Sequence, residues 1–135
     1  MNSVKRDGVY ATIINDSKIL LVLKKNGPYK GLWDLPGGGI EEGESHLDTL
    51  KREISEELAL TFETHEFIQT VKHKGIYNKE DTFTPYEFQH TGYIFTIQNL
   101  KSIPHIIPEE QFKWHHLKKL IPEILTPIAK KIIFF

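Results

Sequence analysis

The feature that most constrains the fold is an amphipathic helix near the middle of the chain, entered through a run of glycines. Its apolar residues recur at helical spacing and form one stripe: Leu47, Leu50, Ile54 and Leu58. Ser45 is followed three residues later by Asp48, which resembles a capping box with aspartate in place of the usual glutamate or glutamine. The pattern predicts a helix at about residues 45–59 that packs its apolar stripe on a sheet.

Segments typical of strands lie on both sides of this helix. Residues 9–14 and 19–23 are predicted to form a hairpin or two adjacent strands, and residues 32–36 a short strand that leads into the glycines. The remaining strands are predicted at 62–77, 88–97 and 112–114, with loops at 24–31, 78–85 and 103–110. Two helical segments are predicted at 117–121 and 122–133, with Pro122 in a first turn. This order predicts a mixed α/β layer fold.

Composition limits the classes of function. The 135 residues suit one domain, and the absence of cysteine excludes disulfides, thiolate metal sites and a cysteine nucleophile. The net charge of −1 gives no sign of binding to DNA or RNA duplexes or to a membrane surface, whereas a small anionic substrate is compatible with it. No apolar run approaches the roughly 20 residues that span a bilayer, and Met1 to Gly8 lacks the apolar stretch of a signal peptide. We therefore expect a cytoplasmic protein.

Three glutamates on the predicted helix form a second pattern. Glu53, Glu56 and Glu57 fall within an arc of about 100° that flanks the apolar stripe. Two ionised carboxylates about 5 Å apart repel by roughly 3 kcal/mol at an effective dielectric constant near 20, and a bound dication reverses the sign. Hard oxygen ligands select Mg²⁺, Mn²⁺ or Ca²⁺ over Zn²⁺. Taken alone, the pattern favours a solvated helix face over a metal site, because glutamate is common in helices.

The same residues carry a resemblance to a known family. The segment from Gly38 to Leu60 resembles the Nudix box, with matches at Gly38, Glu44, Arg52, Glu53, Ile54, Glu56, Glu57 and Leu60. The preceding stretch from Trp33 to Gly38 also resembles the family's entry into the box. Ala59 departs from the pattern, since it stands where the family usually has glycine. If its backbone is left-handed, alanine costs on the order of 1 kcal/mol there.

The resemblance implies a fold and a reaction. The expected fold is a Nudix-type α/β/α sandwich with a mixed β-sheet, formed by a single domain over residues 1–135. The expected activity is Mg²⁺-dependent hydrolysis of a phosphoanhydride bond in a nucleoside diphosphate linked to another group, with Mn²⁺ as a substitute. A free nucleoside triphosphate, cleaved by a MutT-like pyrophosphohydrolase, is the favoured substrate. The expected partner is a small-molecule nucleotide, and the expected assembly a monomer or a homodimer.

The resemblance also implies roles for residues of the box. Glu53, Glu56 and Glu57 are the expected metal ligands, with Glu53 the first candidate for the general base. Arg52 is expected to orient Glu44 by a bidentate contact, although a surface salt bridge worth under about 1 kcal/mol is the alternative.

Residues on either side of the helix complete the expected site. Gly37, Gly38 and Gly39 are expected to let the backbone approach metal and phosphates closely, and a plain turn is the other interpretation. On a late loop, Glu110 is favoured over Glu109 as a further metal ligand, while a solvated loop charge fits nearly as well.

Other substrates and functions stay open at this point. Tyr77, 17 residues after Leu60, resembles a tyrosine that accompanies dinucleoside polyphosphate hydrolases. The proline that marks ADP-ribose hydrolases at that distance is absent, since Gly75 and Ile76 stand there. A non-enzymatic nucleotide-sensing Nudix domain is the third alternative, although it is expected to lack the acidic ligands. Trp33 and Trp114 are expected in the core.

Overall fold

The computed structural model describes residues 1–135, which form eight strands and two α-helices. The strands are β1 (Asn2–Thr12), β2 (Ile14–Asn15), β3 (Lys18–Leu23), β4 (Trp33–Asp34), β5 (Gly37–Gly39), β6 (Leu60–Asn78), β7 (Pro85–Ser102) and β8 (Phe112–His116). The helices are α1 (His46–Leu58) and α2 (Pro127–Ile133). Two short 3₁₀ turns, Leu117–Lys119 and Pro122–Ile124, lie between β8 and α2. None of the helices is long and apolar enough to cross a membrane.

The strands form two four-stranded sheets. The first has the order β5-β1-β7-β6, in which β1 runs parallel to β7 and the other pairs are antiparallel. In the second, β3 pairs antiparallel with β2, β4 and β8. The mixed sheet predicted from the sequence is therefore confirmed.

Side chains from opposite faces of β1 enter two separate cores. Val9 and Ala11 pack with the stripe of α1, in which Leu50 and Ile54 are fully buried. Tyr10, which points to the other face of the strand, packs with residues of α2 that include Ile128. Helices thus cover the β-layer on both sides, which confirms the α/β/α sandwich.

Helix α1 begins and ends where its sequence predicts. The Ser45 hydroxyl accepts a hydrogen bond from the Asp48 N–H at 3.1 Å, and the Asp48 carboxylate accepts one from the Ser45 N–H at 3.1 Å. These reciprocal bonds satisfy two N–H groups that the helix itself leaves free. At the other end, Ala59 adopts the left-handed conformation with φ 55° and ψ 42°.

The predicted hairpin or pair of adjacent strands at residues 9–14 and 19–23 is confirmed only next to the turn, where Ile14 pairs with Ile19. The first strand already starts at Asn2 and lies between β5 and β7, so only the two-residue β2 turns back onto β3. The turn at Asp16 and Ser17, both with positive φ, fixes the local pairing. It carries no information on β7, whose partner residues lie more than 80 positions away.

The predicted helix at 122–133 is also too long. Pro122 begins a 3₁₀ turn, and the α-helix starts only at Pro127, where Thr126 is the N-cap. A proline inside a helix lacks the N–H for the ladder and clashes with the preceding turn, so Pro127 separates the two pieces.

The expectation of buried tryptophans is only partly correct. Trp33 is half-buried and packs against the core next to α2, whereas Trp114 is 37% exposed on β8. Trp114 on β8 pairs with Leu20, and β8 pairs only with β3 and therefore lies at the edge of the second sheet.

Candidate active site

The glycine strand β5 holds the most deeply buried acid of α1. The N–H of Gly37 donates to Oε1 of Glu57 at 2.7 Å. Gly37 has φ 142°, and a β-carbon built there would lie 2.1 Å from the carbonyl oxygen of Val9. Because only glycine accepts both the conformation and the contact, this position requires it.

The environment of Glu57 favours a protonated or cation-bound carboxyl group. The residue is 7% exposed, and burial raises its pKa to about 9, assisted by the negative charges of Glu53 and Glu110. The Gly37 N–H and the positive charge of Lys24 oppose this rise in pKa. An ionised carboxylate in such a place needs a positive partner, because burial of an unpaired charge is costly.

Glu53 lies against the next glycine. A β-carbon on Gly38 would come within 2.6 Å of the Glu53 carboxylate, so the glycine makes the space that this carboxylate occupies. Burial raises the pKa of Glu53, and its hydrogen bond from Arg52 lowers it. The structure thus brings Glu53 and Glu57 to the same glycine strand, β5.

Arg52 connects strand β5 to the start of helix α1. Its Nε and Nη2 donate to the two carboxylate oxygens of Glu44 at 2.7 and 2.9 Å, so the expected bidentate contact is present. Glu44 also accepts from the Glu41 N–H and the Thr49 hydroxyl, each at 2.9 Å. The hydrogen bonds from Arg52 are the main reason that the pKa of Glu44 falls to about 2. Glu44 is therefore a fixed anion that holds Arg52.

The remaining donors of Arg52 reach the acids themselves. Nη1 donates to Glu53 Oε1 at 2.8 Å and to Glu56 Oε2 at 3.3 Å, while Nη2 also donates to the carbonyl of Gly39 at 3.0 Å. One guanidinium group thus links two of the three predicted metal ligands to strand β5.

The late loop before β8 packs on the C-terminal end of α1. The N–H groups of Glu109 and Glu110 donate to the carbonyls of Glu56 and Glu57 at 3.0 and 3.3 Å. Lys25 donates to the Glu109 carbonyl at 2.6 Å and lies 3.9 Å from a carboxylate oxygen of Glu110. The Glu110 side chain is only 27% exposed and contributes to the raised pKa of Glu57, so it lies near the buried acid.

These side chains have the chemistry of a site for hard cations. All the candidate ligands are carboxylate oxygens, which suit Mg²⁺ or Mn²⁺. The buried carboxyl group of Glu57, with its raised pKa, also fits a cation beside the helix. No three acidic or histidine side chains converge closely enough here to share one metal ion. In this arrangement Arg52 binds Glu53 and Glu56.

Comparison with known proteins identifies the family. The model of the NUDIX domain matches residues 4–134. The chain belongs to the NUDIX domain family. The match covers almost the whole chain, so both sheets and both helices are part of the NUDIX domain.

Named relatives of this NUDIX domain include an ADP-ribose pyrophosphatase of Methanocaldococcus jannaschii, 47% identical over 58 residues, which are 43% of this chain and 32% of that protein. A crystal structure of a MutT NUDIX hydrolase from Burkholderia pseudomallei has a TM-score of 0.65 and 25% identity, covering 96% of each chain. The NUDIX domain of Shewanella oneidensis NrtR, complexed with ADP ribose, has a TM-score of 0.61 and 26% identity, covering 96% of this chain and 84% of that one. The chain spans about a third of the length of the curated relatives it matches first.

Two features of the site did not follow from the sequence. Lys25 holds the late loop against α1 through its hydrogen bond to the Glu109 carbonyl. Tyr77 does not offer a free hydroxyl, because its oxygen is hydrogen-bonded to Nε2 of His73 at 2.8 Å and its ring packs on Tyr29. The contacts of Lys25 with Glu109 and of Tyr77 with Tyr29 join distant segments, and neither residue type nor spacing signals them.

Proposed function

We propose that this NUDIX domain hydrolyses a phosphoanhydride bond in a nucleoside diphosphate linked to another group, most simply a free nucleoside triphosphate. The observation that carries the proposal is the carboxylate of Glu57, buried on the Gly37 N–H with Glu53 and Glu110 close by. Such a cluster of acids is stable as anions only beside a cation. The relative from Methanocaldococcus jannaschii is named an ADP-ribose pyrophosphatase, and this name supports hydrolysis of the same type of bond.

In this proposal Mg²⁺, or Mn²⁺ in its place, is held by Glu53, Glu56, Glu57 and Glu110. When bound, the cation neutralises the charge that moves onto the leaving phosphate during displacement. Arg52 and Glu44 are positioning residues, since Arg52 fixes Glu53 and Glu56 while Glu44 fixes Arg52. The backbone of Gly37, Gly38 and Gly39 lets the phosphates approach closely.

Glu53 is the first candidate for the general base, a role that it would take in place of binding the cation. Arg52 donates to its Oε1, which leaves Oε2 to take a proton from the attacking water. The water oxygen bonds to phosphorus, the bond from phosphorus to the bridging oxygen breaks, and the leaving phosphate departs with the electron pair. Burial raises the pKa of Glu53, which brings the carboxylate closer to the range where a general base works best near neutral pH.

The proposal treats residues 1–135 as one hydrolase domain in the cytoplasm that acts on small nucleotides as a monomer or a homodimer. Dinucleoside polyphosphates and ADP-ribose remain alternative substrates, and a nucleotide sensor without activity is the alternative function. Because the Tyr77 hydroxyl is hydrogen-bonded to His73, its position gives the alternative of a dinucleoside polyphosphate hydrolase no further support.

The test is release of phosphate or pyrophosphate from a panel of nucleoside triphosphates, ADP-ribose and a dinucleoside polyphosphate, with Mg²⁺ or Mn²⁺. We expect turnover of at least one compound and a loss of at least a hundredfold in kcat in Glu57→Gln. The matched control is Glu66→Gln, which removes an exposed acid on β6 and should retain activity. Binding of nucleotide and metal with no turnover of any compound would contradict the proposal and favour the sensor.

A further inference from the structure

The late loop, residues 103–111 between β7 and β8, brings Glu110 near the buried acid Glu57 without an apolar anchor of its own. No residue of this loop is buried, so hydrogen bonds rather than core contacts hold it in place. Segments with few buried contacts open locally at a low cost in free energy. The position of Glu110, the proposed fourth metal ligand, therefore depends on a small number of polar contacts.

The late loop docks where negative charge is already concentrated. The N–H groups of Glu109 and Glu110 donate to the carbonyls of Glu56 and Glu57 in the last turn of α1, at 3.0 and 3.3 Å. The carbonyl end of a helix carries a partial negative charge, and the last turn of α1 contains no basic residue. The charge of the Glu110 side chain also acts on Glu57. Docking of the loop therefore needs a positive charge from outside the helix.

Lys25 supplies this charge from the loop after β3. Its Nζ donates to the Glu109 carbonyl at 2.6 Å and lies 3.9 Å from Oε2 of Glu110. This is the only ion pair that the late loop makes. The Lys25 side chain is 54% exposed, and an exposed ion pair contributes little to stability by itself. The charge-assisted hydrogen bond to the Glu109 carbonyl fixes the ammonium group beside Glu110.

The place of Lys25 in the chain follows from the pairing of β3 with β8. The two strands are antiparallel, and just beyond β8 the N–H of Leu23 donates to the carbonyl of Gln111 at 2.9 Å. Two positions further along each segment, the same register sets Lys25 opposite Glu109. The backbone ladder has ended there, and Nζ of Lys25 reaches the Glu109 carbonyl in place of a backbone N–H. The register of the second sheet thus brings this lysine to the late loop.

We infer that Lys25 is a positioning residue for the proposed cation, because it docks the late loop on α1 and thereby keeps the carboxylate of Glu110 near Glu57. The inference rests on the proposed hydrolase function, since it concerns the ligands of that cation. Lys25 makes no hydrogen bond or ion pair with Glu53 or Glu57, so it acts on the cation only through Glu110. This role differs from that of Lys24, whose positive charge acts on Glu53 and Glu57 directly.

Hydrogen exchange without metal tests the docking of the loop. In Lys25→Met the amides of Glu109 and Glu110 should exchange about tenfold faster, because their hydrogen bonds to α1 open more often. Lys25→Arg keeps a positively charged donor and should retain the native rates. The matched control is Lys30→Met, which removes an exposed lysine of the same β3–β4 loop and should also retain them. Unchanged exchange in Lys25→Met would overturn the docking role.

The affinity for Mg²⁺, taken from the melting temperature as a function of Mg²⁺ concentration, tests the link to Glu110. Lys25→Met should weaken this affinity about tenfold, within the usual cost of losing a group that orients a metal ligand. Lys25→Arg and Lys30→Met should bind Mg²⁺ as the native protein does. In Glu110→Gln, Lys25→Met should cause no further loss, because both changes act through the same carboxylate.

The outcomes separate the role of Lys25 from the proposed function. Native Mg²⁺ affinity in Lys25→Met would overturn that role while leaving the hydrolase intact. An undiminished loss when Lys25→Met is added to Glu110→Gln would overturn it as well, since Lys25 would then act on the metal by another route. Failure of the native protein both to bind Mg²⁺ and to turn over any nucleotide would contradict the proposed function, and the positioning role with it.

Discussion

At the scale of single residues, the site depends on positions where the backbone or the space admits one residue type. Gly37 and Gly38 leave no room for a β-carbon beside Val9 and Glu53. Ala59 is the opposite case, an alanine in the left-handed region at the end of α1. Its N–H still donates to the Ser55 carbonyl at 3.0 Å, so the helix ends correctly but under strain.

Replacing Ala59 with glycine should relieve this strain. We expect Ala59→Gly to raise the free energy of unfolding by about 1 kcal/mol, because glycine adopts the left-handed conformation without a β-carbon penalty. Urea denaturation measures the change. Ala129→Gly, within the buried part of α2, is the control and should lower stability instead. A decrease in stability in Ala59→Gly would show that the strain argument is incorrect.

At the scale of elements, α1 carries both the core stripe and the acids. Its capping box joins Ser45 and Asp48, and Glu44 beside it anchors Arg52. The start of the helix therefore positions acids near its other end through one arginine side chain. Disorder in the first turn would also displace Glu53 and Glu56, because Arg52 donates hydrogen bonds to both acids.

Removal of the N-cap hydroxyl tests this element. Ser45→Ala should lower the free energy of unfolding by about 1 kcal/mol, because the Asp48 N–H loses its acceptor. Thermal or urea denaturation gives the difference. Ser55→Ala, in the interior of the same helix, should leave stability nearly unchanged or slightly increase it. Equal losses in the two variants would argue against a specific capping contribution.

The sequence predicted α1 well because its signals are local. The stripe, the capping residues and the acids all lie within 16 residues, between Glu44 and Ala59. The partner of β1 could not be predicted this way, since its pairing with β7 depends on packing across the whole chain. The break before Pro127 had a local signal in the proline itself, which the prediction did not use.

In the candidate site, too, the features with local signals were predicted and those that depend on long-range contacts were not. The bidentate contact of Arg52 with Glu44 followed from the family pattern, and the structure contains it. The hydrogen bonds of His90 with Tyr10 and Tyr29 did not, because the three residues come from segments separated by up to 80 residues. No periodicity or spacing connects them.

At the scale of the whole molecule, hydrogen bonds of the buried His90 join β1, the loop after β3 and β7. Its Nε2 lies 2.7 Å from the Tyr10 hydroxyl, and its Nδ1 lies 2.9 Å from the Tyr29 hydroxyl. Burial lowers the pKa of His90 from 6.5 to about 4 in the folded protein. The unfolded chain therefore binds more protons than the folded protein between these two pH values. The contribution of His90 to stability is fully present above pH 6.5 and is lost as pH falls through this interval to about 4.

This linkage predicts a pH-dependent stability that one substitution removes. Between pH 7 and pH 4 the native protein should lose up to about 3 kcal/mol more of its free energy of unfolding than His90→Gln. Urea denaturation at several pH values gives both curves. His105→Gln, in an exposed loop, should follow the native curve. Parallel curves for the native protein and His90→Gln would mean that His90 does not resist protonation in the fold.

The central claim is that the acids of α1 bind a divalent cation, and the effect of Mg²⁺ on the melting temperature tests it most directly. A ligand that binds only the folded state at a hundredfold excess over its Kd stabilises by about 2.7 kcal/mol. We predict that Mg²⁺ raises the melting temperature of the native protein and of a control with Glu63→Gln plus Glu66→Gln, two exposed acids of β6. Glu53→Gln plus Glu57→Gln should abolish the rise. An equal rise in that double variant would contradict the claim.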